Sequence, residues 1–142
     1  MFFGYFEHSL DDKGRVVVPS KLRSQCGNTL YILQGYDGAL SIYKEDEYIK
    51  MIEKVNSLPF NIRKNRDFIR TQLATTCELE IDKQGRIQLP IQLLNKYSIG
   101  KDIVFIGVGN HIELWDKKYY LDYEAKALEE FEKNAEEIVK ED

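Results

Sequence analysis

The chain of 142 residues has few cysteines, few histidines and no long apolar stretch. Its two cysteines, Cys26 and Cys77, stand far apart and form no CxxC pair, and neither His8 nor His111 lies near them. This pattern argues against a zinc site and against a disulfide scaffold, and it predicts two buried thiols. No apolar run approaches the roughly 18 residues of a membrane span. We therefore expect no metal, no cofactor and no membrane partner.

Sequence motifs of the common enzyme classes are also missing. The chain contains no G-x-S-x-G, no H-E-x-x-H and no phosphate-cradling glycine loop. An enzyme would need a hydrolytic site assembled from scattered residues, with candidates Asp11, Asp82, His8, Cys26 and Ser20. We expect a protein that is not an enzyme.

The net charge of −4 comes mostly from the end of the chain. From Asp116 onward acids outnumber lysines ten to five, whereas the preceding residues carry a slight positive excess. Since salt screens charges beyond about 8–10 Å, the potential at a local loop matters more to an anionic partner than the total does. The opening MFFGYFEHSL has no basic flank and no small-residue cleavage site. It predicts a strand rather than a signal peptide and favours a cytoplasmic location.

The most informative feature that the chain does contain is a repeat. Residues 11–22 read DDKGRVVVPSKL and residues 82–93 read DKQGRIQLPIQL. An aspartate, a glycine, an arginine, a proline and a leucine recur, each displaced by 71 positions. A repeat of this length predicts a duplicated structural unit. We expect a first half over 1–60, a linking basic helix over 61–76 and a second half over 77–142, and each half alone would have a thin core and marginal stability.

Both copies predict the same order of elements: strand, turn, strand, short helix, two strands and a longer helix. We interpret the two strands around each turn, over 11–14 and over 82–85, as a hairpin, because aspartate and glycine favour turns and the following residues alternate in polarity. The tail over 118–139 is predicted as one long helix with an apolar face. The fold class is therefore α+β.

The basic helix is expected to face the core with three apolar residues, Phe68, Ile69 and Leu73.

The repeated Asp-x-x-Gly-Arg turn carries the chemistry that we consider functional. Its glycine permits a sharp turn, and its arginine projects a planar, permanently charged fork that can hold a phosphate or read guanine with two hydrogen bonds. Asp11 and Asp82 could orient the arginines or only cap the turns. Arginines in weak surface ion pairs remain a competing interpretation. The candidate DNA-binding residues are Arg15, Arg86, Lys13, Lys83, Gly14 and Gly85.

Two other features could contact nucleic acid. The helix over 61–74 carries four basic residues that form no single stripe and are interrupted by Asp67, which favours a solvated face. The nine tyrosines could stack on bases, but their scattered spacing favours packing in the core.

The pattern MFxGxxxxxLDxKGRxxxP, a second DxxGRxxxP and a later IELW resemble the MraZ family, which belongs to the AbrB-like group of bacterial transcription factors. The resemblance runs from Met1 to about Tyr120. It implies an internally duplicated, swapped-hairpin or double-split β-barrel with flanking helices and a C-terminal helix. It also places the DNA-binding residues in two DxxxR loops, here Asp11 with Arg15 and Asp82 with Arg86.

The function that this resemblance implies is sequence-specific binding of double-stranded DNA by a nucleoid-associated transcriptional regulator. The DNA would carry short direct repeats in the promoter of the division and cell-wall operon. A ring-shaped homo-oligomer would meet several repeats at once. The alternative is a structural or protein-interaction ring whose arginines make ion pairs between subunits.

Overall fold

The computed structural model describes the backbone of residues 1–141 and the side chains of residues 1–138. Asp142, the end of the predicted second half, lies outside the described residues. The elements in chain order are β1 (Phe2–Ser9), β2 (Arg15–Val17), α1 (Ser20–Arg23), β3 (Thr29–Gln34), β4 (Leu40–Lys44), α2 (Glu45–Asn56), α3 (Arg63–Thr75), β5 (Cys77–Glu80), β6 (Arg86–Gln88), α4 (Ile91–Lys96), β7 (Asp102–Gly109), β8 (Ile112–Asp116), α5 (Lys117–Glu129) and α6 (Phe131–Glu141).

The strands form two antiparallel sheets, so the chain is a mixed α/β protein as the sequence predicts. The larger sheet has six strands in the order β1-β7-β8-β4-β3-β5, and the smaller sheet pairs β2 with β6. Four of the pairings, β1–β7, β4–β8, β3–β5 and β2–β6, join a strand from residues 1–60 to a strand from residues 77–142. The two predicted halves are therefore interlaced through both sheets.

One cluster of buried apolar side chains connects the small sheet to the large one. Val16 of β2 and Ile87 of β6 lie opposite each other and pack in the same cluster as Ile32, Ile42 and Phe105 of the large sheet. Alternation along a strand sends neighbouring residues to the opposite face. On the opposite face of the large sheet a smaller cluster of buried side chains consists of Ala39, Val104 and Trp115. Tyr120 of α5 packs against this cluster.

The hairpin interpretation of the two turns is wrong. The strands on either side of the first turn, β1 and β2, lie in different sheets, and so do β5 and β6 around the second turn. Each short strand buries a single apolar side chain in its centre, Val16 or Ile87. Antiparallel pairing of β2 with β6 places these two side chains next to each other over the core, which neither strand achieves alone.

The helices differ from the sequence-based expectation in two places. The tail forms two helices rather than one, because the backbone at Glu130 leaves helical geometry, with φ −96° and ψ 1°. Of the three apolar residues of α3 expected to face the core, only Ile69 is buried, whereas Phe68 and Leu73 are exposed. The reason is that α3 contacts β3 along a narrow face, where Thr75 Oγ1 accepts a hydrogen bond from the Gln34 amide at 3.0 Å. None of the helices within residues 1–141 combines the length and the apolarity of a membrane span.

The cysteines are both free, but only one of them is fully buried. Cys26 donates its thiol to the Leu22 carbonyl at 3.2 Å, and burial raises the pKa of this thiol to about 11. Cys77 is half-buried at the start of β5, so the prediction of two buried thiols is wrong for this residue.

We expect the β2–β6 pair to depend on its inward residues and to tolerate change at its outward ones. Ile87→Ala removes a side chain that is 1% exposed and should lower the free energy of unfolding by about 2–5 kcal/mol. Val17→Ala, at a position 40% exposed, should cost under about 1 kcal/mol. Urea denaturation of both variants checks this, and equal losses would contradict the described packing.

Candidate nucleic-acid interface

The first repeated loop, residues 11–15, is held together by one carboxylate. Asp11 Oδ1 accepts hydrogen bonds from the backbone amides of Lys13 at 2.9 Å and Arg15 at 2.8 Å. Asp11 Oδ2 accepts one from Arg15 Nε at 2.7 Å. The loop closes through the Gly14 amide, which donates to the Asp11 carbonyl at 3.0 Å. Gly14 has φ +78°, a conformation that side chains other than glycine rarely adopt.

The second loop, residues 82–86, reproduces this arrangement bond for bond. Asp82 Oδ1 accepts from the backbone amides of Gln84 at 2.8 Å and Arg86 at 2.9 Å, and Asp82 Oδ2 accepts from Arg86 Nε at 2.9 Å. The Gly85 amide donates to the Asp82 carbonyl at 3.0 Å, and Gly85 has φ +79°. The aspartate therefore both caps the turn and orients the arginine, which the sequence had left as alternatives.

The electrostatics of the loops follow from these bonds. The backbone amide of Arg15, followed by its guanidinium and the Lys13 amide, lowers the pKa of Asp11 from 3.8 to about 2. The same groups in the second loop lower the pKa of Asp82. Both carboxylates are therefore ionised at neutral pH, and each holds its arginine by a charge-assisted hydrogen bond.

Each arginine has side-chain donors that the described residues of the protein do not use. The side chains of Arg15 and Arg86 are 33% and 30% exposed, and each binds its aspartate through Nε. Within residues 1–138 neither arginine uses its Nη groups in a hydrogen bond that meets ordinary geometric limits. A guanidinium fixed at Nε presents its Nη1 and Nη2 groups end-on as a two-pronged donor.

The small sheet brings the two arginines to one face. Its register pairs Val16 with Ile87, and both of these side chains are buried. Because successive strand residues point to opposite faces, Arg15 and Arg86, which flank this pair diagonally, both point outward. Strand geometry separates their Cα atoms by roughly 8 Å. The structure thus joins two sites that are far apart in the sequence.

The two glycines also connect the loops to each other. The Gly85 carbonyl accepts a hydrogen bond from the Val18 amide, and the Gly14 carbonyl accepts one from the Leu89 amide, both at 2.9 Å. The Gln88 side chain adds a bond from Nε2 to the Lys13 carbonyl. Each loop is therefore fixed to the strand that follows the other loop.

The two candidate lysines occupy different positions in their loops. Lys13 is the third residue of the first loop, where the second loop has Gln84, and Lys83 is the second residue, where the first loop has Asp12. All four residues are exposed. Both lysines lie exposed on the loops, but they occupy different positions relative to the arginine that follows them.

Sequence reasoning missed one cation at this site. Arg23, at the end of α1, lies against Gly85 of the second loop. The repeat could not reveal it, because the position displaced by 71 residues is Leu94, and α1 belongs to the first half.

Two of the four basic side chains of the rival helix, and several of the tyrosines, make contacts within the chain. In α3, Arg66 donates from Nη1 to the Phe60 carbonyl at 3.1 Å, and Arg70 lies 5.7 Å above the Phe60 ring. Several tyrosines stack on protein rings, for example Tyr31 on Tyr48 with centroids 4.3 Å apart. The described contacts thus favour local packing for these side chains.

The geometry defines a class of molecule: a mixed α/β protein that displays two matched, aspartate-held arginine loops on one surface. A family model described as "MraZ protein, putative antitoxin-like" matches residues 1–71 and again residues 73–142. The chain belongs to the MraZ family, and the resemblance drawn from the sequence is confirmed.

Relatives cover nearly the whole chain. A protein of Natranaerobius thermophilus is 42% identical over 98% of this chain and 97% of its own length. Proteins of Syntrophomonas wolfei and Oenococcus oeni are 37% and 39% identical, over 98% and 97% of this chain and 97% and 96% of their own lengths. All three are named "Transcriptional regulator MraZ". They carry the name of a regulator and not of an enzyme, so the prediction that the chain is not an enzyme is confirmed.

We expect the carboxylate of Asp11 to titrate well below an ordinary aspartate. Because its folded pKa is depressed, the stability that it contributes is fully present above about pH 4 and is lost as the pH falls toward 2. Carboxyl NMR titration measures the midpoint. In Arg15→Ala the pKa should rise but stay below 3.8, since the backbone amides of residues 13 and 15 still donate to Asp11. A complete return to 3.8 would show that the guanidinium, and not the turn, dominates.

Proposed function

We propose that this protein is a sequence-specific transcriptional regulator that binds double-stranded DNA through Arg15 and Arg86. The observation that carries the proposal is the outward pair of arginines, each fixed at Nε by its own aspartate and each left with its Nη donors available. The names of the relatives support a regulatory role. We place its action in the cytoplasm, on the nucleoid, at the promoter of the division and cell-wall operon.

The loop geometry suits recognition because Asp11 and Asp82 already order the two arginine side chains in the folded protein, so that binding loses less conformational entropy. Immobilising a flexible side chain on binding costs about 0.5–1.5 kcal/mol, and an arginine that is already held avoids part of this cost. The Nη1 and Nη2 groups can then donate together to guanine O6 and N7 or to a phosphate. A two-stranded ribbon such as β2–β6 is narrow enough for the major groove, which is about 12 Å wide.

A single copy of the interface offers few contacts, so we further propose that several copies act together. In this proposal the two sheets form one duplicated, swapped-hairpin barrel, and the barrels assemble into a ring-shaped homo-oligomer. Linked sites gain affinity through effective concentration, by about 10² or more, when their spacing fits the DNA. Repeats spaced by about one helical turn, roughly 10 base pairs, would present the same groove face to neighbouring subunits.

A structural ring whose arginines make subunit ion pairs is the alternative function. It would also use exposed, aspartate-held guanidiniums, but it would require them in the contact between protomers. The two functions separate in the variants described next, because loss of an assembly residue changes the mass of the particle, whereas loss of a DNA contact does not.

Replacing Arg15 or Arg86 with alanine should weaken binding to promoter DNA by about 1–3 kcal/mol per engaged protomer while the assembly stays intact. The reason is loss of a two-pronged donor without loss of a buried side chain. Fluorescence anisotropy gives the affinity, and light scattering gives the particle mass.

Arg63→Ala is the matched control for these variants, since it removes an exposed arginine from the start of α3. It should bind DNA like the unaltered protein. If Arg63→Ala weakens binding and both loop variants do not, α3 is the interface. If the loop variants dissociate the particle, the alternative function holds.

The spacing of DNA sites provides a separate test. Duplexes carrying two boxes about 10 base pairs apart should bind at least ten times more tightly than duplexes with one box or with two boxes about 15 base pairs apart, because half a turn rotates the second box to the opposite side. Competition binding at constant salt measures the ratio. Equal affinities for the three duplexes would contradict simultaneous binding by several loops.

A further inference from the structure

The second loop receives a cation from the other half of the chain. Arg23 extends from the end of α1 and crosses Gly85: a Cβ placed on Gly85 would lie 1.8 Å from Arg23 Nη1 and 2.6 Å from Cζ. The φ of +79° favours glycine at this position, and the guanidinium of Arg23 packs directly against it. Arg23 and Lys83 also line one shallow depression together with Asp82 and Gly85.

The guanidinium of Arg23 is weakly engaged within the protein. Its hydrogen bond to the Val18 carbonyl is long, at 3.5 Å, and no carboxylate among residues 1–138 lies within 4.0 Å of its nitrogen atoms. The carboxylate of Asp82, which lines the same depression, already accepts hydrogen bonds from Arg86 and from the Gln84 amide. Arg23 therefore has donors that an external anion could use.

The first loop has no equivalent of this cation. The corresponding position is Leu94, which is buried, and the side-chain atoms nearest to a Cβ on Gly14 belong to Gln88 and Ile91. Residues 11–15 carry no net formal charge, because two aspartates oppose one lysine and one arginine. Residues 82–86 carry +1, and Arg23 raises the local charge to +2.

We propose that Arg23 is a further DNA-contacting residue, which binds a backbone phosphate next to the second loop. The inference rests on the proposed function and extends its site by a residue outside the repeated motif. Arg23 and Lys83 line one depression together with Asp82, whose carboxylate already accepts a hydrogen bond from Arg86, so both cations can donate to a phosphate oxygen placed there. A guanidinium is well suited to such a contact because its planar fork can donate twice to one phosphate.

The test uses Arg23→Gln in the full chain and measures promoter-duplex affinity over a range of salt concentrations. Loss of one phosphate contact should weaken binding roughly tenfold and lower the slope of log affinity against log salt by about one unit. Arg23→Lys should retain the slope, since it keeps the charge. Lys21→Gln is the matched control: it removes one charge from the same helix but lies beside Phe3 and Tyr5, away from the second loop. Circular dichroism and thermal melting confirm that each variant is folded.

The outcomes distinguish this inference from the function on which it rests. If the unaltered protein binds no DNA, the proposed function fails. If it binds DNA and Arg86→Ala weakens binding, but Arg23→Gln has the unaltered affinity and slope, only the inference on Arg23 is overturned. A weaker affinity with an unchanged slope would overturn it as well, because Arg23 would then only position Gly85. An equal effect of Lys21→Gln would show a general charge effect and not a contact.

Discussion

The antiparallel pairing of β2 with β6 is the interaction on which the rest of the structure depends. It consists of only three residue pairs, extended by reciprocal hydrogen bonds from Val18 and Leu89 to the carbonyls of the two loop glycines. The pair buries one apolar side chain from each strand over the main core. The same register turns both loop arginines outward, so packing on the inner face and presentation on the outer face have a common cause.

Within each loop a single aspartate has two roles. One oxygen satisfies the backbone amides of the turn, and the other holds the arginine at Nε. A free arginine at a strand end would sample many rotamers and would contribute a weak surface ion pair at most. Held in this way it has a defined direction, which is what the proposed recognition surface needs.

The repeat makes the loops similar, but the surroundings make them different. Lys13 and Lys83 occupy different loop positions, and Asp12 removes positive charge from the first loop only. Arg23 lies on the second loop although it comes from the first half. Two copies of a repeated motif can therefore differ in local charge, because of their neighbours in space, while their hydrogen bonds stay the same.

The family could be identified from the sequence, and the sequence by itself determined the local features: the two turns with their glycines and aspartates. These follow from interactions over a few residues, since the loop bonds join positions at most four apart. Only the tertiary structure decided which strands pair, why α3 leaves Phe68 exposed, and that Arg23 meets Gly85. Such contacts join residues many positions apart, and the free energy that selects them comes from burying side chains of both halves in one core.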